Sequence, residues 1–227
     1  MNLAPSLVSL SMVQPSLICE SLATGGRADT IGFLFVEGVI MDALDALHQR
    51  VSVSKLTAPA PDAEQREALF KAALRAADHG QMRPWRFLVV EGEGLAALGE
   101  LFCAAAVSDD PDLVPEVRDS YRKMPYRAPM IIVVIATCQA NPKVPEIEQV
   151  VSAGAAAQNM ITAAYALGLG AIWKTGAMAY HREVIRGLGL QENEQIIGYL
   201  YIGTPTSPLG KASPRPTNDY FANWPAQ

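Results

Sequence analysis

The segment from Met130 to Cys138 constrains this chain more than any other. It is an apolar run of strand length without alternation, which predicts a central strand covered on both faces. The segments around it supply the covering layers. Met41 to Leu47 has apolar residues at three-residue spacing, with Asp42 placed to cap a helix start. After the loop Pro59-Ala60-Pro61, Asp62 and Gln65 have capping-box spacing, and Leu69, Ala72, Ala73 and Ala76 form one helical face. Helices are expected over Leu95–Val107, Leu113–Lys123, Arg182–Gly187 and the Ala-rich Val150–Leu167, which Gly168 stops. Further strands are expected at Trp85–Glu91, Ala171–Lys174 and Ile196–Ile202. The tail from Thr204 carries Pro205, Pro208, Pro214 and Pro216 and is expected to be extended and irregular. The pattern is helices with a few strands in one layered domain.

The 227 residues suit one domain plus an extension, and the text changes at Met41. Residues 1–40 are poor in charge and show no sustained period, so an N-terminal extension outside the domain is expected there. With 18 Lys+Arg against 23 Asp+Glu the net charge is −5, which argues against general nucleic-acid binding. Cys19, Cys103 and Cys138 make no CxxC pair and His48, His79 and His181 are scattered, so no metal site is expected. The odd cysteine count fits a reducing cytoplasm. The apolar runs are too short for a membrane-spanning helix.

Four segments carry candidate chemistry. Gly92-x-Gly94-x-x-Ala97 imitates a dinucleotide fingerprint, but Glu91 and Glu93 would repel a pyrophosphate, so it reads as a strand-to-helix turn. Arg50-x-Ser52-x-Ser54-Lys55 gathers a guanidinium, hydroxyls and an ammonium suited to a phosphate, or it is a solvated loop. Arg75, His79, Gln81 and Arg83, leading into Pro84-Trp85, can hydrogen-bond a flat heterocycle, or form a surface turn. Gly168-x-Gly170-x-x-Trp173-Lys174-Thr175-Gly176 offers close backbone approach, an aromatic wall and a cation, or is a helix cap followed by an edge strand. Asp109-Asp110-x-Asp112 reads as a solvated helix start. There is no serine nucleophile elbow and no P-loop.

In chain order, the segments Met41 to Lys55, His79 to Phe87, Arg127 to Val134, Gly168 to Gly176 and Gly198 to Pro205 resemble the FMN-dependent nitroreductase family. The resemblance covers about Met41 to Thr204 and is most similar to a small NAD(P)H nitroreductase branch. It implies an α+β fold, a three-layer α/β/α sandwich around a mixed, mostly antiparallel sheet. It also implies a homodimer with FMN at the interface and NADH or NADPH as donor. By resemblance, Arg50, Val51 and Ser52 grip the FMN phosphate and ribityl chain. Arg75 and His79 reach the flavin from the partner subunit, and Trp173, Lys174 and Thr175 form a third flavin contact. Ala163, Ala164, Tyr165, Ala166, Leu167 and Gly168 match a nicotinamide-binding region.

The implied reaction is ping-pong hydride transfer through flavin N5 to a small electron-poor acceptor such as a nitro compound or quinone, with no catalytic residue required. Flavin fragmentation, dehalogenation and non-enzymatic flavin binding stay open on the same scaffold. Two departures stand out. Ser54 occupies a position where many members have Lys or Arg, with Lys55 one residue later, and Arg83 replaces a Gln before Pro84-Trp85. Arg83 or Lys55 is therefore expected to supply the cation near flavin N1.

Overall fold

A computed structural model describes residues 41–225, so the expected N-terminal extension over residues 1–40 lies outside the described residues. Among the described residues five strands form the sheet: β1 (Leu56–Thr57), β2 (Trp85–Glu91), β3 (Met130–Thr137), β4 (Gly170–Lys174) and β5 (Glu194–Pro205). Strand β5 pairs with β3 along one edge and with β4, and it meets β1 at Thr204 and Pro205. Strand β2 flanks β3 on its other side.

Every pairing among the described residues is antiparallel, which corrects the expectation of a mixed sheet. The connections explain this. Strand β2 ends at Glu91 opposite Met130, where β3 begins. The intervening helices α3 (Glu93–Asp109) and α4 (Pro115–Lys123) therefore return the chain to the end of the sheet it left. Helix α5 (Glu146–Ala166) does the opposite. Its 21 residues span about 32 Å at 1.5 Å per residue and carry the chain from the end of β3 to the far end of β5. There Gly170 opposes Gly203.

Alternation along β3 divides the core. Met130, Ile132 and Val134 join Leu69 and Ala73 of α2 (Ala63–Ala73) and the small side chains of α5. Ile131, Val133 and Ile135 join Leu95, Leu98 and Phe102 of α3 and Val184 of α6 (Arg182–Gly187). All seven residues from Met130 to Ala136 are fully buried, as the unbroken apolar run requires. Each is worth about 1.5–3 kcal/mol of transfer free energy where the side chain is Val, Ile or Met.

The caps follow their residues. Asp42 accepts from the Leu44 and Asp45 N–H groups at the start of α1 (Ala43–Gln49), and Asp62 with Gln65 forms the capping box of α2. Gly92 (φ +54°) makes the turn from β2 into α3. Helix α5 ends in a Schellman motif: Leu169 N–H donates to Ala164 O (2.9 Å) and Gly168 N–H, at φ +74°, donates to Tyr165 O (3.0 Å). No helix among the described residues is long and apolar enough to cross a membrane.

Several boundaries differ from expectation: β5 runs Glu194–Pro205 rather than Ile196–Ile202, and α3 runs Glu93–Asp109 rather than Leu95–Val107. Helix α5 starts at Glu146 rather than Val150, because its first turn is exposed and shows no buried apolar period. Helix α4 starts at Pro115, the position where a missing N–H costs nothing. Asp109 and Asp110 end α3 instead of starting a helix. They are tolerated there because Asp109 lies 3.3 Å from His181 Nε2 and Asp110 accepts from Asp112 N–H.

One ion pair ties the sheet ends. Arg86 of β2 holds Glu194 of β5 with two hydrogen bonds of 2.6 and 2.7 Å, and the Glu194 side chain is only 6% exposed. Hydrogen bonding from Arg86 holds the Glu194 carboxyl below the usual carboxylate range. A carboxylate with a depressed folded-state pKa stabilises the fold above its unfolded pKa, and that contribution fades as pH falls through the folded value. Glu194→Gln is therefore expected to cost about 2–3 kcal/mol at neutral pH and to flatten the loss of stability below about pH 4.5. Urea unfolding at several acidic pH values reads both. An acid limb identical to that of the unaltered protein would contradict the assignment.

Candidate functional site

The stretch after α1 is laced to two other segments. Val53 N–H donates to Ala171 O of β4 (2.9 Å), while Thr206 N–H donates to Lys55 O and Ala212 N–H to Gln49 O. The stretch from Val51 to Lys55, with Ser207, Pro208 and Gly210, lines a cavity of about 420 Å³. Ser52, Ser54 and Lys55 are exposed, and Arg50 stands at the C-cap of α1 immediately before them. Neither Arg50 nor Lys55 forms an ion pair among the described residues. Hydroxyls and uncommitted cations around a shallow cavity are donor chemistry for a phosphate.

Arg75 follows α2 and shares a second cavity, about 550 Å³, with Asp78, Gln81, Arg83 and Trp85. Its wall is strained. Gln81 (φ +53°) and Arg83 (φ +49°) adopt left-handed conformations, at a cost of order 1–3 kcal/mol each. Asp78 holds the turn by accepting the Arg83 N–H at 2.7 Å, and Trp85 N–H closes it on Arg83 O. His79 lies in the 3-10 turn His79–Gln81 and lines a separate cavity of about 320 Å³ with Glu148 and Val151. Its Nδ1 is 2.6 Å from Glu148 Oε2 of α5, beside the exposed Ile147 and Val151.

The β4 segment divides its residues between interior and surface. Trp173 packs on the α2/α5 side of the core, donates its indole N–H to Ile197 O (3.2 Å) and lies over Gly198. Its indole N–H is thus committed within the fold. Lys174 and Thr175 instead reach the rim of another cavity, about 440 Å³, on the α3/α4 side. Of the stretch from Ala163 to Gly168, Ala164 and Tyr165 are buried, and the Tyr165 hydroxyl donates to Gly210 O. Ala163 and Ala166 are half-buried, leaving Leu167 and Gly168 as its exposed surface.

Within one chain, then, the Arg50–Lys55 stretch and β4 are neighbours, while Arg75 and His79 line cavities that contain neither. Ser207 and Gly210 were not legible as cavity residues, since they lie in a proline-rich tail without periodicity. Glu148 reads in the sequence as a carboxylate without an evident catalytic partner and Arg127 only as the start of a strand segment: each becomes noteworthy only through a residue distant in sequence.

The nitroreductase family model matches residues 47–204. The chain belongs to the nitroreductase family. The match lies inside the expected span of Met41 to Thr204 and makes this nitroreductase-family protein an oxidoreductase. It is 43% identical over 188 residues to the Escherichia coli K12 protein named "Putative NAD(P)H nitroreductase YdjA", covering 80% of this chain and 100% of that one. A Haemophilus influenzae protein named "Putative NAD(P)H nitroreductase" is 41% identical over 165 residues, covering 72% and 89%. Among solved structures, a nitroreductase-like family protein from Bacillus cereus superposes with a TM-score of 0.69 at 23% identity, covering 82% of this chain and 97% of that one. A structure from Desulfovibrio desulfuricans, described as "a putative nitroreductase in complex with fmn", gives a TM-score of 0.61 at 26% identity, covering 82% and 98%. The nitroreductase-like α+β fold with an antiparallel sheet follows from these likenesses and the strand pairings.

Proposed function

We propose that this nitroreductase-family chain is an FMN-dependent NAD(P)H oxidoreductase that reduces nitro compounds, quinones or similar electron-poor acceptors. The observation that carries the reading is the cradle from Arg50 to Lys55, whose hydroxyls and unpaired cations lie against the start of β4. Its donor set fits a phosphate-bearing ribityl tail. FMN in complex with a solved neighbour supports the choice of cofactor. Bound there, FMN would supply the hydride chemistry that links NAD(P)H to the acceptor.

The chain's own residues bind and orient. Arg50, Val51 and Ser52 would hold the phosphate and ribityl end, and Lys174 and Thr175 would meet the ring edge. Trp173 fixes that strand from behind by its bond to Ile197 O. Arg75 and His79 line other cavities of the same chain, so they serve the site across a homodimer, from a second copy. Glu148 holds the His79 ring through Nδ1. Arg83, on its strained turn beside Arg75, is assigned the cationic role near flavin N1. Within Ala163–Gly168, Leu167 and Gly168 are the residues left to meet the nicotinamide donor.

The protomer is read as a three-layer α/β/α sandwich, supported by the apolar clusters fed from opposite faces of β3. A cytoplasmic setting fits an NAD(P)H-dependent enzyme whose Cys103 and Cys138 are buried free thiols.

An anaerobic titration tests the function. Protein incubated with FMN and freed of excess is expected to be yellow, to bleach on NADPH or NADH, and to regain colour on adding a nitroarene. Steady-state double-reciprocal plots are expected to run parallel. A protein that stays colourless after incubation, or a yellow one that neither donor bleaches, overturns the reading.

A further inference from the structure

The cavity of about 440 Å³ beside Lys174 has a floor and a rim of opposite chemistry. The floor is aromatic. Phe102 and Tyr199 meet edge to face, with ring centroids 5.5 Å apart at 81°, and Tyr201 lies beside them on β5. All three are at most 4% exposed. The floor is also uncharged: the Tyr199 hydroxyl donates to Met178 O at 3.0 Å, and burial pushes both tyrosine hydroxyls up in pKa.

Arg127 and Lys174 stand on the rim. Neither forms an ion pair among the described residues, whereas Arg122 of neighbouring α4 is held by Glu100 and Asp119. Arg127 closes the 3-10 turn Pro125–Arg127 just before β3, so a rigid central strand anchors its backbone. The volume falls within the range of small-molecule sites. A flat ring finds aromatic side chains below, while a negative group on that ring finds the Arg127 guanidinium at the mouth, Lys174 being assigned to the flavin edge.

We infer that this cavity binds a small planar aromatic anion, such as a nitroaromatic carboxylate, as the preferred class of electron acceptor, with Arg127 recognising the negative group. The inference rests on the proposed function in one respect: Lys174 and Thr175, at the rim, are the residues assigned to the flavin edge, which puts the acceptor beside it. The overall step balances with the established donor class. A nitroarene, NAD(P)H and one proton give the nitrosoarene, NAD(P)⁺ and water; the nitro group is reduced by two electrons and one N–O bond breaks.

Calorimetric titration of FMN-saturated protein with 4-nitrobenzoate and with neutral nitrobenzene reads the cavity directly. The carboxylate is expected to bind about tenfold more tightly, as one charge-assisted contact allows. Arg127→Gln is expected to abolish that difference while leaving nitrobenzene affinity and FMN affinity unchanged, and Arg127→Lys is expected to keep part of it. The kcat/KM ratio for the two acceptors is expected to follow the same order. Equal binding of the two ligands, or a preference that survives in Arg127→Gln, overturns the inference. Competition between 4-nitrobenzoate and FMN for the protein also overturns it, because the cavity would then belong to the flavin. Failure to take up FMN sinks the proposed function and the acceptor role with it, but not the anion site, which is then titrated in the flavin-free protein. The titrations on that same protein would still show whether Arg127 selects the carboxylate.

Discussion

Gly198→Ala is expected to destabilise the fold by about 3 kcal/mol, among the largest effects of any single-methyl addition in this chain. Gly198 lies in mid-β5, where the register against β3 shifts between Val134 and Ile135. A Cβ there would run into the Trp173 indole N–H edge and come within 2.9 Å of Lys174 O. The indole cannot easily withdraw. Its N–H is bonded to Ile197 O, and its ring packs with the α2/α5 cluster next to Gly154. The added methyl therefore either breaks that hydrogen bond or pushes β4 off β5.

Because Lys174 and Thr175 follow Trp173 directly, the same change is expected to weaken flavin binding in whatever protein remains folded. Gly210→Ala is the control, since its Cβ would meet only Val51 Cγ2, at an ordinary 3.8 Å. Urea midpoints of the two variants decide the matter. A Gly198→Ala midpoint equal to that of the unaltered protein would show that β4 is more loosely held than its contacts imply.

Arg50→Gln and Arg75→Gln are each expected to lose flavin affinity by about 100-fold, and a mixture of the two is expected to recover flavin. The loss follows from removing a guanidinium that meets a phosphate or its neighbourhood, worth about 1.5–3 kcal/mol per charged hydrogen bond. The recovery follows from geometry. In one chain Arg75 lines a cavity that excludes the Arg50–Lys55 stretch, and the proposed site therefore draws Arg50 from one copy and Arg75 from the other. A mixed dimer then holds one doubly altered site and one intact site. After random subunit exchange about one quarter of all sites are intact. Flavin fluorescence quenching on titration with FMN measures the fraction. No recovery after verified exchange would show that both arginines act within one chain, and the dimeric site would be wrong.

Much of this architecture was legible in local chemistry. The run from Met130 to Ala136 dictates a strand buried on both faces, because no residue in it can face water. Asp42, Asp62 with Gln65, and Gly168 mark helix ends, since a cap bonds backbone groups only a few residues away. Trp85–Glu91 and Arg182–Gly187 have the expected bounds for the same reason. Where polar residues broke the apolar period, at Glu146–Gln149 and at Asp109, the boundaries were misread. The missed carboxylates there answer to His79, Gln195 and His181, partners far away in sequence.

Period, capping and charge act over a few residues, so the chain's text alone determined the element inventory, the central strand and the cation-and-hydroxyl segments. Pairing direction, the commitment of Trp173 to the core and the meeting of Arg127 with Tyr201 are decided between segments 24 to 149 residues apart. Only tertiary structure could settle them. Which groups remain uncommitted for a ligand depends on what the rest of the fold has already claimed, and a linear sequence does not record that competition.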